Sequence, residues 1–221
     1  MGQELKRTSG RTLDHVAHVY DLLSPLMLFG LEARMSRPCL GSLEDPSIRS
    51  VLDMGCGTGT LTIEAAEKLS GRPGSLVVGM DAAPKMIDVA RRKAAGMNNL
   101  RFDVGIAEEL PYPRQSFDGA ISTFFFHHIE RALKEKALNE LWRVLKNGRS
   151  ALVIDVDVPT NIFGKICAWS GYYLFQQDEI RENIHGELRA SMEASLFRGY
   201  EIVRRHQGYI SVFKLNKQGG M

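Results

Sequence analysis

The sequence predicts an α/β fold built on a mostly parallel sheet, with a closing antiparallel pair and a helical segment in front. Three observations carry this. Short apolar runs alternate with amphipathic ones from Ser50 onward; the first run enters a loop of alternating glycines, Gly55, Gly57 and Gly59; and the tail holds two apolar runs after a last helical pattern. Alternating β and α patterns mean parallel strands joined by right-handed helical crossovers.

Arg11 to Arg34 reads as helical, with Val16, Val19, Tyr20 and Leu23 on one side and Pro25 interrupting. With the turn-rich stretch at Pro38, Gly41, Asp45 and Pro46 it makes residues 1–48 an N-terminal helical lid or appendage to a main domain over 49–221. Strands are expected at 50–54, 75–80, 100–104, 117–122 and 150–156, and helices at 60–69, 83–95 and 131–145. The helix at 131–145 is the clearest. Leu138, Leu141, Trp142 and Leu145 recur at i, i+3, i+4 and i+7, behind the charged Lys134, Glu135 and Lys136. A helix from Glu187 to Phe197 precedes the closing runs, Glu201 to Arg205 and Tyr209 to Leu215.

The 221 residues are 44% hydrophobic and 24% charged, enough for one well-cored domain. Twenty-eight basic against 26 acidic residues leave a formal charge of +2. That is short of a nucleic-acid binder's basic footprint, so no nucleic-acid partner is expected. The polar start, Met1 to Arg11, does not read as a secretory signal, which predicts a cytoplasmic protein. The longest uncharged stretches, Gly119 to Ile129 and Ile166 to Gln177, are too short for the roughly 18–20 apolar residues of a bilayer span, so no stable membrane insertion is expected. Cys39, Cys56 and Cys167 are too few and scattered for a disulfide framework or a zinc cluster, and no metal site is predicted.

The most informative stretch is Val51-Leu52-Asp53-Met54-Gly55-Cys56-Gly57-Thr58-Gly59. Glycines without a Cβ let a ligand lie against the main chain at a helix N-terminus. The dinucleotide pattern G-x-G-x-x-G fails, since its third glycine falls on Thr60 or Thr62, and no Gly-Lys-Ser/Thr supports a Walker loop. A nicotinamide-dependent oxidoreductase is therefore only the alternative reading. Twenty-eight residues after Asp53, the run Leu76 to Asp81 ends a second strand in an acid. There a carboxylate can accept a ribose's hydroxyls, a role compatible with capping the helix that enters at Pro84.

Asp53, Gly55, Gly57 and Gly59 in the form Asp-x-Gly-x-Gly-x-Gly resemble the first motif of the class I S-adenosylmethionine-dependent methyltransferases. Further likenesses are Ala82-Ala83-Pro84-Lys85-Met86, Gly105-Ile106-Ala107-Glu108-Glu109-Leu110-Pro111, Ser122 to Ile129 with its His127-His128 pair, and the turn Lys146-Asn147-Gly148. Together they cover about residues 50–155, and Val19-Tyr20-Asp21-Leu22 resembles the ubiquinone/menaquinone-biosynthesis-like (methyltransferase type 11) branch. The resemblance implies a Rossmann-like methyltransferase fold of seven strands, S-adenosyl-L-methionine as cofactor, and a small-molecule methyl acceptor. It places the loop with Cys56 along the cofactor's amino-acid part and Asp53 in the network around its ammonium group. It gives Asp81 the ribose, Ala82 and Met86 the edge of the adenine, and sets Ser122 and a covering Tyr20 at the cofactor. Ile106 stands where the family usually has an acid for the adenine amino group, so adenine selectivity falls to main-chain groups near Ala107.

A sulfonium cofactor brings its own electrophile, so the protein's task is to align the acceptor and exclude water. For an acceptor that must lose a proton, His127 and His128 are the best-placed catalytic candidates, with His15, His18 and His185 weaker. Asp155 and Asp157 flank Val156 and reach the ligand edge together or not at all. The aromatic stretch Asn161 to Gln177, within an insertion at about 159–198, predicts either a cover for an apolar or aromatic substrate or a helix packed on the sheet. The expected function is methyl transfer to O or C of a small apolar or aromatic molecule. A catalytically silent cofactor-binding protein is the alternative outside enzymes. Nucleobase amino methylation is disfavoured because Ser122-Thr123-Phe124-Phe125 replaces the Asn/Asp-Pro-Pro-Tyr type of segment.

Overall fold

The structure, a computed structural model, describes residues 32–219. The expected lid helix over 11–31, with Tyr20, lies outside them. Seven strands form one sheet in the order β3-β2-β1-β4-β5-β7-β6. They are β1 (Ser50–Met54), β2 (Leu76–Asp81), β3 (Leu100–Val104), β4 (Gly119–Thr123), β5 (Ser150–Val156), β6 (Glu201–His206) and β7 (Ile210–Asn216). The first five are mutually parallel, while β7 runs antiparallel to both β5 and β6. Each predicted strand is present, with ends moved by a residue or two.

Strand period explains the two-sided core. Leu52, Met54, Val78, Met80 and Val153 belong to one buried cluster, and their neighbours Val51, Val77, Leu152 and Ile154 to another on the opposite face. The second face is covered by α1 (Glu32–Ser42) and α2 (Thr60–Leu69). In α2, Thr62, Ala65, Ala66 and Leu69 form the buried stripe. α3 (Pro84–Lys93) begins with proline in its first turn, where a missing N–H costs nothing, and buries Met86, Ile87 and Ala90. α4 (Arg131–Val144) lays Ala137, Leu138, Leu141 and Val144 on the first face. Between β5 and β6 lie α5 (Ile162–Phe175), α6 (Asp178–Ile184) and α7 (Glu187–Ala194).

Two boundaries depart from the sequence reading. Helix α1 runs through Pro38 and Gly41, which read as turn, because Cys39 and Leu43 are buried in one cluster with Ala65 and Leu69. Tertiary burial overrides the local breakers. Cys39, Leu43 and Ile48 are buried in the same cluster as the apolar stripe of α2. Helix α7 stops at Ala194, three residues short of Phe197, where the Ser195 hydroxyl donates to the Met192 carbonyl and the chain turns away.

Lys217 is 1% exposed, and its Nζ donates to the carbonyls of Trp142 and Leu145 at 2.9 and 2.6 Å while lying 4.0 Å from the centre of the Trp142 ring. It closes the C-terminal end of α4. Lys217→Ala strips partners from two carbonyls, at about 1–3 kcal/mol for a buried one. The expected result is a melting temperature lower by about 5–10 °C, read by thermal unfolding.

Candidate functional site

Loops 55–59, 81–83, 105–107 and 124–128 follow β1, β2, β3 and β4, so all meet at the sheet's carboxyl edge. The strand order reverses between β1 and β4, where an open α/β sheet leaves a crevice for ligands.

The three loop glycines all have positive φ, of 76° at Gly55, 54° at Gly57 and 77° at Gly59, but for different reasons. A Cβ on Gly55 would run into the Phe125 ring, and one on Gly59 into Phe102. A Cβ on Gly57 would meet nothing within 4 Å among the described residues, so toward them this glycine faces open space. Its N–H donates to Asp81 Oδ2 at 2.9 Å, and the N–H of Ala83 donates to Asp81 Oδ1 at 2.9 Å. Asp81 thus braces the glycine loop from the end of β2 and reaches two residues forward toward α3, whose N-cap is Ala83. Cys56 points its sulfur toward Gly79, away from the open side, while its N–H holds the Met80 carbonyl at 3.1 Å.

Asp53 is 1% exposed, and its Oδ2 accepts a 2.6 Å bond from the Thr62 hydroxyl, while Oδ1 has no partner among the described residues. Burial pushes its carboxyl up to about 7, against the Thr62 bond and with the help of the nearby Asp81 charge. A buried acceptor without a donor under a glycine loop suits an ammonium group. With the open side of Gly57, it meets the need of an amino-acid moiety. A cation beside Asp53 favours its ionised form, so binding releases a proton wherever the free protein holds one. S-adenosylhomocysteine affinity is therefore expected to rise from pH 5 to about 7 and then level off, with Asp53→Asn flattening the rise. Calorimetry across that range checks it. The free protein carries the opposite slope. Its raised carboxyl binds more protons than the unfolded chain between the ordinary carboxyl value of 3.8 and about 7, so this group's contribution to stability declines as pH climbs through that window.

Met86 is 1% exposed on α3, and Ala107 and Ile106 are 5% and 9% exposed in the turn after β3, where Ile106 bridges Glu109. The Gly105 N–H donates to the Asp81 carbonyl at 3.0 Å, tying this turn to the end of β2. Ser122 is fully buried, and its hydroxyl donates to the Met54 carbonyl at 2.8 Å, a bond between neighbouring strands. Tyr20 lies outside the described residues.

Beyond β4 the chain turns at Phe124, a non-glycine at φ 53°, into a 3₁₀ turn, Phe126–His128. His127 Nδ1 lies 2.8 Å from Asp155 Oδ1, and His128 Nδ1 lies 3.2 Å from Gln177 Oε1. The Asp155 and Asp157 pair does not act as one. Asp155 joins the histidine turn, whereas Asp157 is held by Arg189, by Arg205 at 3.1 Å and by the Ser211 hydroxyl. His185 bonds the Arg181 carbonyl within its own segment. The aromatic stretch splits as well. Trp169 and Tyr172 pack toward Tyr209, while Ile162, Phe163, Ile166, Tyr173 and Leu174 are exposed along α5.

Sequence reasoning missed Thr62, Gln177 and Asn183. Thr62 shows no local sign beyond its place on the buried stripe of α2. Gln177 and Asn183 sit among ordinary polar residues, and only the fold brings them to the histidines.

Parallel strands, a glycine loop at the point of reversal and acids ending β1 and β2 define a Rossmann-like cofactor-binding fold of the methyltransferase kind. Comparisons with known proteins agree. The family described as "Methyltransferase domain" matches residues 51–148. A demethylmenaquinone methyltransferase of Thermus thermophilus is 37% identical over 145 residues, covering 65% of this chain and 64% of the relative. One from Deinococcus radiodurans is 35% identical over 153 residues, covering 68% and 61%. The chain thus spans somewhat under two thirds of the curated relatives it matches. Among solved structures, an S-adenosylmethionine-dependent methyltransferase from Aquifex aeolicus superposes with TM-score 0.62 at 18% identity, covering 94% of this chain and 100% of that one. Geranyl diphosphate C-methyltransferase from Streptomyces coelicolor, solved with S-adenosylhomocysteine, gives 0.64 at 15% identity, covering 85% and 76%. Residues 51–148 thus match the methyltransferase-domain family, and the chain's sequence relatives include demethylmenaquinone methyltransferases.

Proposed function

We propose that the protein transfers a methyl group from S-adenosyl-L-methionine to a carbon or oxygen of a small apolar, quinone-like molecule. The observation that carries this is the pairing of Gly57's open side with the buried, half-satisfied Asp53 beneath it and the Asp81 brace beside it. In this reading Gly55 to Gly59 and Asp53 hold the amino-acid end, Asp81 the ribose, and Ala82, Met86, Ile106 and Ala107 the adenine surroundings. Bound there, the cofactor supplies an electrophilic methyl on a sulfonium that leaves as a neutral thioether. The protein's own work is alignment, exclusion of water and, for an acceptor that must lose a proton, acceptance of it by His127 or His128.

A quinone-like acceptor draws its support from the names of the demethylmenaquinone methyltransferase relatives. The apolar side chains exposed along α5, in the segment read as a substrate cover, suit the same chemistry. A cytoplasmic small-molecule enzyme fits the near-neutral charge of the chain. No helix among the described residues is long and apolar enough to cross a membrane.

The test is calorimetric titration with S-adenosylmethionine, S-adenosylhomocysteine, NADH and NADPH, followed by transfer of labelled methyl to demethylmenaquinone kept in its reduced, hydroquinone form by dithionite. Micromolar binding of the first pair alone, with label in the quinone, is the expected result. Binding of a nicotinamide overturns the cofactor, and cofactor binding without transfer to any quinone overturns the acceptor. The second outcome also favours a silent binding protein.

A further inference from the structure

We infer that Asp155, helped by Asn183, is a positioning residue that holds His127 in one tautomer, Nδ1 protonated and Nε2 basic, and so makes it the proton acceptor. The inference rests on the methyl-transfer reading for its chemistry and on the geometry alone for its structural part.

β4 and β5 are neighbours, with Thr123 beside Ile154 in register, so Asp155 stands next to the turn that leaves β4. Its carboxylate is fully buried. Oδ2 accepts the Phe126 N–H at 2.7 Å, and Oδ1 accepts the Val156 N–H at 2.7 Å. Asn183 Nδ2, on α6, approaches Oδ1 at 3.4 Å, and His127 Nδ1 lies 2.8 Å from the same atom. An ionised carboxylate only accepts, so the ring nitrogen facing it carries the hydrogen, and Nε2 keeps its lone pair. The Phe126 N–H ties the carboxylate to the turn that carries the histidine, and the Val156 N–H fixes it on its own strand.

Asn183 adds a second, independent observation. It is fully buried, and its Oδ1 has no partner among the described residues, so the Nδ2 contact to Asp155 is the side-chain bond that holds it there. Because Asn183 on α6 meets Asp155, and Gln177 just before α6 faces His128, the insertion is joined to the carboxylate beneath one histidine and to the ring of the other. In the transfer step the proton leaves the acceptor's hydroxyl or acidic carbon for Nε2. The electron pair it leaves on that atom forms the new bond to carbon, the broken C–S pair stays on sulfur, and the positive charge passes to the imidazolium. Solvent then takes the proton.

The experiment uses full-length protein labelled with ¹⁵N-histidine. In the cofactor-free state, long-range ¹H–¹⁵N spectra are expected to show the His127 ring as the Nδ1–H tautomer. Asp155→Asn is expected to move the ring to the Nε2–H form or a mixture, and to lower kcat by about 10²–10³-fold, in the range a general base contributes. KM for the acceptor and affinity for S-adenosylhomocysteine stay within threefold. Asp155→Glu is expected to restore the tautomer in part. Asn183→Ala, which spares the strand, is expected to broaden the tautomer signal with a smaller fall in kcat, and it stands in should Asp155→Asn not fold. A wild-type ring in the Nε2–H form, or a tautomer unchanged in these variants, overturns the inference. A wild-type Nδ1–H ring in a protein that transfers no methyl would overturn the methyl-transfer reading instead.

Discussion

Replacing Asp81 by alanine is expected to weaken S-adenosylmethionine binding by about 10²–10³-fold while leaving the melting temperature nearly unchanged. The carboxylate takes the N–H of Gly57 and of Ala83, both at 2.9 Å, so it sets the shape of the glycine loop as well as offering oxygens to a ribose. Hydrogen bonds to a charged group contribute about 1.5–3 kcal/mol each, and losing their combined effect on the bound state accounts for the size of the fall. Stability suffers less because the site is only partly buried and water can serve the two freed N–H groups. Calorimetry paired with a thermal melt reads both quantities, and an affinity within threefold of wild type would remove Asp81 from the cofactor site.

Gly57→Val is expected to abolish measurable cofactor binding at a modest cost in stability. Gly57 has φ 54°, so a side chain there carries left-handed strain of about 1–2 kcal/mol. Among the described residues, nothing beyond its chain neighbours lies within 4 Å of the added Cβ. The melting temperature is expected to fall by only about 2–8 °C. Gly55→Val makes the control, since its Cβ enters the Phe125 ring and the damage reaches the core. A Gly55 variant that melts well below the Gly57 variant, with both failing to bind, is the expected pattern. A Gly57 variant with normal affinity would place the cofactor elsewhere.

The sheet was legible because strand and helix periods are local properties. Val51 against Leu52 and Val77 against Val78 already encode two buried faces, and the stripe Leu138, Leu141 and Leu145 encodes the helix that covers one of them. The loop glycines were legible as a set, but their separate duties were not. The ring that excludes a side chain from Gly55 belongs to Phe125, which arrives from β4. The bond that Ser122 makes was hidden for the same reason, since its partner Met54 lies on the neighbouring strand. Pro38 misled because a breaker's local preference yields to burial of the adjacent Cys39. The contacts of Asp155 with His127 and Asn183 depend on β4 and β5 being adjacent and on where α6 lands, and no spacing in the chain announces either.

β7 lies between β5 and β6 although it follows both in sequence. On the ribosome, β5 therefore emerges with one side unpaired and waits for the helical insertion and β6 to be made before its neighbour exists. At about 5–20 residues per second that interval lasts several seconds. Through it, the backbone of Ser150 to Val156 is open to any extended segment nearby. A slow codon stretch over the insertion would lengthen the exposure, and newly made chains stalled there would be the ones to need a chaperone.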